Sequence, residues 1–403
     1  MIKITKISVI VVIFYILMYV QTWGDNHILF YGASLLTVCS LAAYWIYEKH
    51  VDLSCVPYGI WNNLIMVVYS VITGIFVAYN YSESIDSCIT YAAFSVICVA
   101  ICYVSAEEGS IEWIYNVLIV LAFTCAIYML TKGVAWNGYG RTLSVYNNPH
   151  TFAAVMTLGI FSTAYKCRKH DTKESVIAGL FIFLFLYCII ECGSRKYLIA
   201  SAFIVGIWGI TQSTNIWRKN DTNQRILMAI VLILIIGFGT YYLRNMFNNS
   251  LVYIRLSESN DEGNVNRIKF YQFAIEIFKT RPVFGGGYDQ FKFWSRTGGY
   301  AHSTYAEAIA DFGFIGSALY FIPLLYSSFQ ILKNVLGTKR DYQSILLLAF
   351  CCIELFLGIG QIFFMEFHHF IAWTILFYLS RQPIQKGKNI PEPSLRKYKY
   401  IRA

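Results

Sequence analysis

Two clusters combine residue types able to do chemistry. In Tyr300-Ala301-His302-Ser303-Thr304-Tyr305-Ala306-Glu307 an imidazole precedes a carboxylate by five residues, and Asp311 follows it by nine. Imidazole titrates near neutral pH, so His302 at the edge of an apolar run can act as a general base, and His302 and Glu307 are the catalytic candidates. The plainer alternative is an interfacial His in a helix-cap region. The second cluster, Glu191-Cys192-Gly193-Ser194-Arg195-Lys196, is a near-minimal connection between two apolar runs. Cations drawn into a bilayer cost about 2.5–3.5 kcal/mol each, so an anionic ligand that repays Arg195 and Lys196 is a natural reading. Arg195 offers a planar fork of donors matched to phosphate oxygens, and the amides of the following helix add to the pull. Snorkelling cations partnered by Glu191 are the alternative.

Other residues form looser sets. Gly138-Tyr139-Gly140-Arg141 through Asn147-Asn148-Pro149-His150 either brings Arg141 and His150 to the same cavity or is an ordinary turn-rich loop. Glu354 is an acid within an apolar run, a functional candidate by default or a structural hydrogen bond. Glu366, His368 and His369 are metal-ligating types, but adjacent imidazoles on a helix point some 100° apart. No D-x-D triplet occurs, and Trp23–His27 is too short and acid-poor for an acidic metal motif. No metal and no cofactor are expected.

The elements that position these clusters are membrane helices. Hydrophobic residues make up 57% of the 403, aromatics 17% and charged residues only 14%, against roughly 25% charge in an ordinary soluble domain. A disordered chain, a disulfide scaffold and a nucleic-acid binder are excluded. The eleven Cys lie mostly in apolar runs, where thiols act as small hydrophobes. A span needs about 20 mostly apolar residues. Twelve such runs are predicted, at about 7–22, 28–47, 60–79, 88–105, 113–131, 151–166, 175–192, 196–212, 226–243, 313–332, 343–362 and 364–380. The first lacks a small-residue cleavage pattern and reads as a retained anchor.

Positive charge in short loops marks the cytoplasmic side. Lys166 to Lys173, Arg218 to Arg225, Lys333 to Arg340 and the tail from Arg381 all fall on the side of the N-terminus, so both termini are expected inside. The net charge of +9 then reports orientation first. The organisation expected is nine spans over 1–243, a long outer loop over 244–300, three spans over 301–380 and a basic cytoplasmic tail over 381–403. Loops that long are usually functional, and this one carries eight basic against five acidic residues, a balance that invites an anion. Long loops also translocate regardless of charge. Val265, Ile268, Tyr271, Ile275 and Phe278 recur at helical spacing up to Pro282 and predict an amphipathic helix along the outer membrane surface. Gly285-Gly286-Gly287 reads as a hinge.

The ordered set resembles the bacterial O-antigen polymerase and O-antigen ligase superfamily over roughly residues 135–330. The features that carry it are Gly193-Ser194-Arg195-Lys196 opening a span, Asn266-Arg267 before Arg281-Pro282-Val283-Phe284-Gly285-Gly286-Gly287, then His302 to Glu307 and Phe312-Gly313-Phe314-Ile315-Gly316. Ser303 stands where many relatives carry Asn. The resemblance implies an all-α, GT-C-like fold of about a dozen transmembrane helices. It also implies a glycan on undecaprenyl pyrophosphate as donor and a metal-independent, inverting glycosyl transfer at the outer face of the inner (cytoplasmic) membrane. Arg195, Lys196 and Arg267 would hold the pyrophosphate, Arg281 and Arg141 match in the same role, and His302 would activate the acceptor hydroxyl. Partners would be lipid-linked donor and acceptor, membrane lipid, a chain-length regulator and a flippase, with no nucleic acid. The compact Gly-Ser-Arg-Lys motif and the basic tail favour a polymerase of O-antigen or similar surface polysaccharide. A ligase that moves finished glycan to lipid A core is the alternative. A flippase or other transporter is the reading from another class, against which stands the lack of two similar halves.

Overall fold

The computed structural model describes residues 10–18, 31–39, 42, 53–107, 109–132, 135–136, 142–143, 149–167, 172–219, 261–337 and 342–381. The first two stretches are helical. Beyond them come α1 Tyr58–Val77, α2 Tyr81–Glu107, α3 Glu112–Lys132, α4 Pro149–Lys166, α5 Thr172–Glu191, α6 Arg195–Lys219, α7 Asp261–Thr280, α8 Phe291–Trp294, α9 Thr304–Gly337, α10 Tyr342–Leu357 and α11 Phe367–Ser380. A two-residue hairpin, β1 Ala135–Trp136 with β2 Thr142–Leu143, pairs antiparallel with Ala135 opposite Leu143. Among the described residues five helices, in Tyr58–Val77, Tyr81–Ala106, Glu112–Thr131, Glu174–Glu191 and Thr304–Gly337, are long and apolar enough to cross a membrane. Apart from that hairpin the regular elements of the described residues are helical, and the chain is a polytopic membrane protein. The span expected over 226–243, the loop over 244–260 and the basic tail from 382 onward lie outside the described residues.

Helices in lipid associate by close packing rather than by escape from water. α4 is buried on nearly every side, with α3, α5 and α6 around it. A Cβ at Gly159 of α4 would sit 2.5 Å from the Ala122 Cβ of α3, so glycine permits that approach. Phe161 stacks on Phe350 with centroids 3.9 Å apart and ties α4 to α10.

α9 is interrupted twice, and each interruption has its own remedy. Pro323 has no N–H, which deprives the Leu319 carbonyl of its helical donor; Asn62 of α1 donates its side-chain amide there at 2.6 Å. Asn62→Leu leaves that carbonyl bare among apolar groups. A loss of about 1–3 kcal/mol is expected, read as an earlier unfolding midpoint in mixed micelles. An unchanged midpoint would mean that another group serves Leu319.

At Gly313 the backbone leaves the helix altogether (φ 62, ψ −160). The segment 282–287 docks into the gap. Gly286 and Gly287 donate to the Ala310 and Asp311 carbonyls at 2.8 and 2.9 Å, while Phe314 and Ile315 donate to those of Pro282 and Val283 at 2.7 and 3.2 Å. The Tyr69 hydroxyl caps the Phe312 carbonyl at 2.6 Å, and Ser317 donates to Ala308 at 2.9 Å. The glycine triplet is therefore a pinned joint and not the hinge expected from the sequence. Its lack of side chains serves contact: a Cβ on Gly285 would lie 2.4 Å from the Asp311 carbonyl oxygen.

The amphipathic helix forms where expected, as α7, but presents another face to the protein. Ala274 and Ile277 are buried against Phe291, Ala301 and Ala310, with Phe270 and Phe273 beside them, whereas Ile268 and Ile275 are exposed. Two apolar stripes at helical spacing compete, and the one containing Ala274 allows the closer approach to α9. The link between the last two spans also differs. α10 stops at Leu357, and Gly358–Glu366 forms a nine-residue connection with a 3-10 turn at Phe363–Met365, where the sequence pattern suggests almost none.

Candidate functional site

The turn before Arg195 is compact because Gly193 takes a left-handed conformation (φ 73), open to glycine at little cost. The Cys192 amide still bonds back to Cys188, and the Ser194 carbonyl already accepts from Leu198 at 3.0 Å, so only three residues separate α5 from α6. Arg195 is exposed at that mouth and Ser194 is buried. His150 Nδ1 lies 3.0 Å from Ser194 Oγ, which brings one member of the Gly138–His150 set to this turn. Arg141 lies outside the described residues.

Lys196 turns inward. Its Nζ donates to the Gly360 carbonyl at 2.9 Å, which hooks α6 to the 358–366 connection. The same connection holds the His302 segment from the other side. The Thr304 amide donates to the Gly358 carbonyl at 2.8 Å, Thr304 Oγ1 donates to the Gln361 carbonyl at 2.6 Å, and Phe363 N donates to Thr304 Oγ1 at 3.0 Å. Tyr305 donates to Leu355 at 2.6 Å, and Tyr271 of α7 donates to Ile359 at 3.3 Å.

Those bonds hold His302 in a left-handed conformation (φ 55). A non-glycine residue there is strained by about 1–3 kcal/mol and persists only where its surroundings over-determine it. Glu307 supplies a further constraint. It is fully buried, and its carboxylate accepts the Ala301 N–H, next to His302, at 2.5 Å. Asp311, one turn further on, accepts the amides of Asp289, Gln290 and Phe291 at 2.9, 3.2 and 2.8 Å. Both acids thus grip backbone that precedes the imidazole in the chain.

The His302 ring stays accessible, 5.9 Å from the Phe270 ring. Partial burial lowers its pKa below the ordinary imidazole value, and the Arg267 and Lys196 charges lower it further. The neutral, proton-accepting form is therefore the resting state at neutral pH. Activity that needs this base is expected to hold above pH 6.5 and to fall as pH drops through the lowered pKa. Arg267→Ala removes one of the opposing charges and should move that acid limb to higher pH, measurable in kcat/KM against pH.

Arg267 is exposed on α7, and its charge reaches His302. Arg281 is engaged elsewhere: its guanidinium lies 3.9 Å from the centre of the Trp294 ring, and Trp294 donates to the Gly286 carbonyl at 2.9 Å. It braces the docked segment. Gly358, Gly360 and Gln361 organise the site and were not singled out in the sequence; the Gly-x-Gly break inside an apolar run was the available signal. His369 Nδ1 lies 2.7 Å from Glu354 Oε2. The ligand atoms of Glu366, His368 and His369 lie within 4.8 Å of one another, contrary to the divergence expected of neighbouring imidazoles.

Residues 180–321 match the O-antigen ligase family, a stretch that runs from α5 through the first half of α9. Among curated proteins, the exopolysaccharide production protein ExoQ of Rhizobium meliloti (strain 1021) is 21% identical over 350 residues, covering 77% of this chain and 76% of its own. Arg195, Lys196, Arg267, Arg281, His302 and Glu307 all fall inside the matched stretch. Over these stretches the chain is similar to the O-antigen ligase family and to an exopolysaccharide production protein.

Proposed function

We propose that the chain polymerises glycan repeat units carried on undecaprenyl pyrophosphate, at the outer face of the cytoplasmic membrane, by a single inverting displacement. The observation that carries the reading is the meeting of an accessible, neutral imidazole with the charges of Arg267 and Lys196. The acceptor hydroxyl attacks the anomeric carbon, its proton passes to His302, and the bond to the lipid pyrophosphate breaks. Negative charge grows on the departing pyrophosphate, and fixed cations in a water-poor site stabilise it most as it develops. Arg195, Arg267 and Lys196 take that role, and Glu307 positions His302 through the Ala301 amide. A pyrophosphate is already a good leaving group, so the transfer needs no nucleotide sugar. The name of the Rhizobium relative, an exopolysaccharide production protein, favours chain building.

The family description, O-antigen ligase, favours a second reading: transfer of the finished chain to lipid A core. One assay separates them. Purified full-length protein in detergent is given a synthetic undecaprenyl-pyrophosphate repeat unit alone, and the lipid-linked products are resolved on a gel. A ladder supports polymerisation, transfer only on addition of lipid A core supports the ligase, and silence in both returns a transporter to first place. In whichever assay is active, Arg195→Lys keeps the charge but loses the bidentate fork. It is expected to cost about tenfold or more, since a hydrogen bond to a charged group contributes about 1.5–3 kcal/mol. Normal turnover would remove Arg195 from the clamp.

A further inference from the structure

A second polar cluster lies beside the site and is used by none of the chemistry above. At the start of α11, His369 is buried and holds its Nδ1 2.7 Å from Glu354 Oε2. With Glu354 accepting, Nδ1 carries the ring proton and Nε2 carries a lone pair. That Nε2 is buried and has no hydrogen-bond partner. A carboxylate orienting an imidazole whose other nitrogen stands open is the arrangement that prepares histidines for metals. Two further donors face the same space. His368 Nε2 is 2.9 Å from Glu366 Oε2, and the two imidazole rings stand 4.3 Å apart. Gln361 fixes the Glu366 carboxylate by donating to Oε2 at 2.9 Å. Tyr197 donates to Gln361 Oε1 at 2.5 Å and comes within 3.3 Å of His368 Nε2.

We propose that Glu366, His368 and His369 bind a divalent transition-metal ion of the zinc type, with Glu354 orienting His369. Nitrogen and oxygen donors at ~2.0–2.2 Å in a tetrahedron stand roughly 3.3 Å from one another. The three donor atoms, already within 4.8 Å, reach that spacing by small side-chain rotations. Imidazole with carboxylate suits zinc and its first-row neighbours better than calcium or magnesium. The ion would fasten the connection 358–366, which carries the carbonyls that hold Lys196 and Thr304, and would take no part in the transfer. This site is independent of the glycosyl-transfer reading, and its test needs no glycan.

The test uses full-length protein without a polyhistidine tag, purified in detergent from zinc-supplemented cells and extensively dialysed, with metal measured by mass spectrometry. About one zinc per chain is expected in the wild type, as for a structural site, and the same in His302→Ala. His369→Ala and His368→Ala should lose it. Removal of a buried imidazole can prevent folding, so Co²⁺ is also added to the wild-type protein: visible bands of a four-coordinate ion, displaced by Zn²⁺, are expected. Wild-type protein empty of metal with a featureless Co²⁺ spectrum would overturn the proposal. So would full metal retention in the folded His368→Ala/His369→Ala double variant.

Discussion

His302→Ala is expected to lower kcat for glycosyl transfer by roughly 10²–10⁴-fold, the usual contribution of a positioned general base, while the KM for the lipid-linked donor changes little. The split follows from the division of labour in the site. In the proposed mechanism Arg195, Lys196 and Arg267 supply the charges for the pyrophosphate, whereas His302 acts on the acceptor proton in the transition state alone, and loss of such an interaction lowers kcat and kcat/KM together. A companion signature separates loss of the base from a general loosening. The residual activity of His302→Ala should no longer show the acid limb produced by the lowered imidazole pKa. Wild-type turnover in this variant, or an intact acid limb, would take the proton away from His302.

Gly285→Val should yield little or no folded protein. Gly285 adopts φ 73, and an added Cβ would lie 2.4 Å from the Asp311 carbonyl oxygen and 2.5 Å from the Gly313 amide nitrogen, both backbone atoms that cannot rotate away. The left-handed conformation alone costs a β-branched residue about 1–2 kcal/mol. Separating the segments also frees the groups that 282–287 and 310–315 exchange, each worth about 1–3 kcal/mol when left bare. Together these exceed ~5 kcal/mol, the low end of total stability for a folded domain. Gly298→Val is the control: Gly298 is also left-handed (φ 68), but a Cβ there meets nothing within 4 Å. Equal yields of the two variants, by fluorescence-detected size exclusion, would refute the docked joint.

The sequence made the chemistry more legible than the carpentry. His302 and Glu307 were visible because an imidazole and a carboxylate stand out at the edge of an apolar run, and α7 was visible because aromatic and aliphatic residues recur with a helical period. Its packed face was not, since Phe270, Phe273, Ala274 and Ile277 repeat as regularly as Ile268, Tyr271 and Ile275. The contact that buried Glu307 makes with the Ala301 amide was not suggested by its spacing. The Gly358–Glu366 connection was hidden because Ile362, Phe363 and Phe364 keep the run apolar through the turn. Backbone-to-backbone docking leaves no side-chain pattern at all. Gly285 and Gly313 record it only as absences of a Cβ, and nothing in either segment names the other.

The break at Gly313 also orders the birth of the protein. A continuous helix enters lipid with its backbone already satisfied, but the carbonyls of 310–312 and the amides of 314 and 315 find their partners only on 282–287 and Tyr69. Bare backbone groups are not tolerated in hydrocarbon. The glycine segment leaves the ribosome before α9 and must already have crossed to the side where α9 begins, waiting there when that span arrives. Residues 314–337 rise about 36 Å on their own, enough for the crossing, so 304–312 can stay above the membrane until the joint closes. Insertion of this helix is thus a two-step event timed by an earlier stretch of chain, and a delay in translocating that stretch would expose the broken span to quality-control proteases.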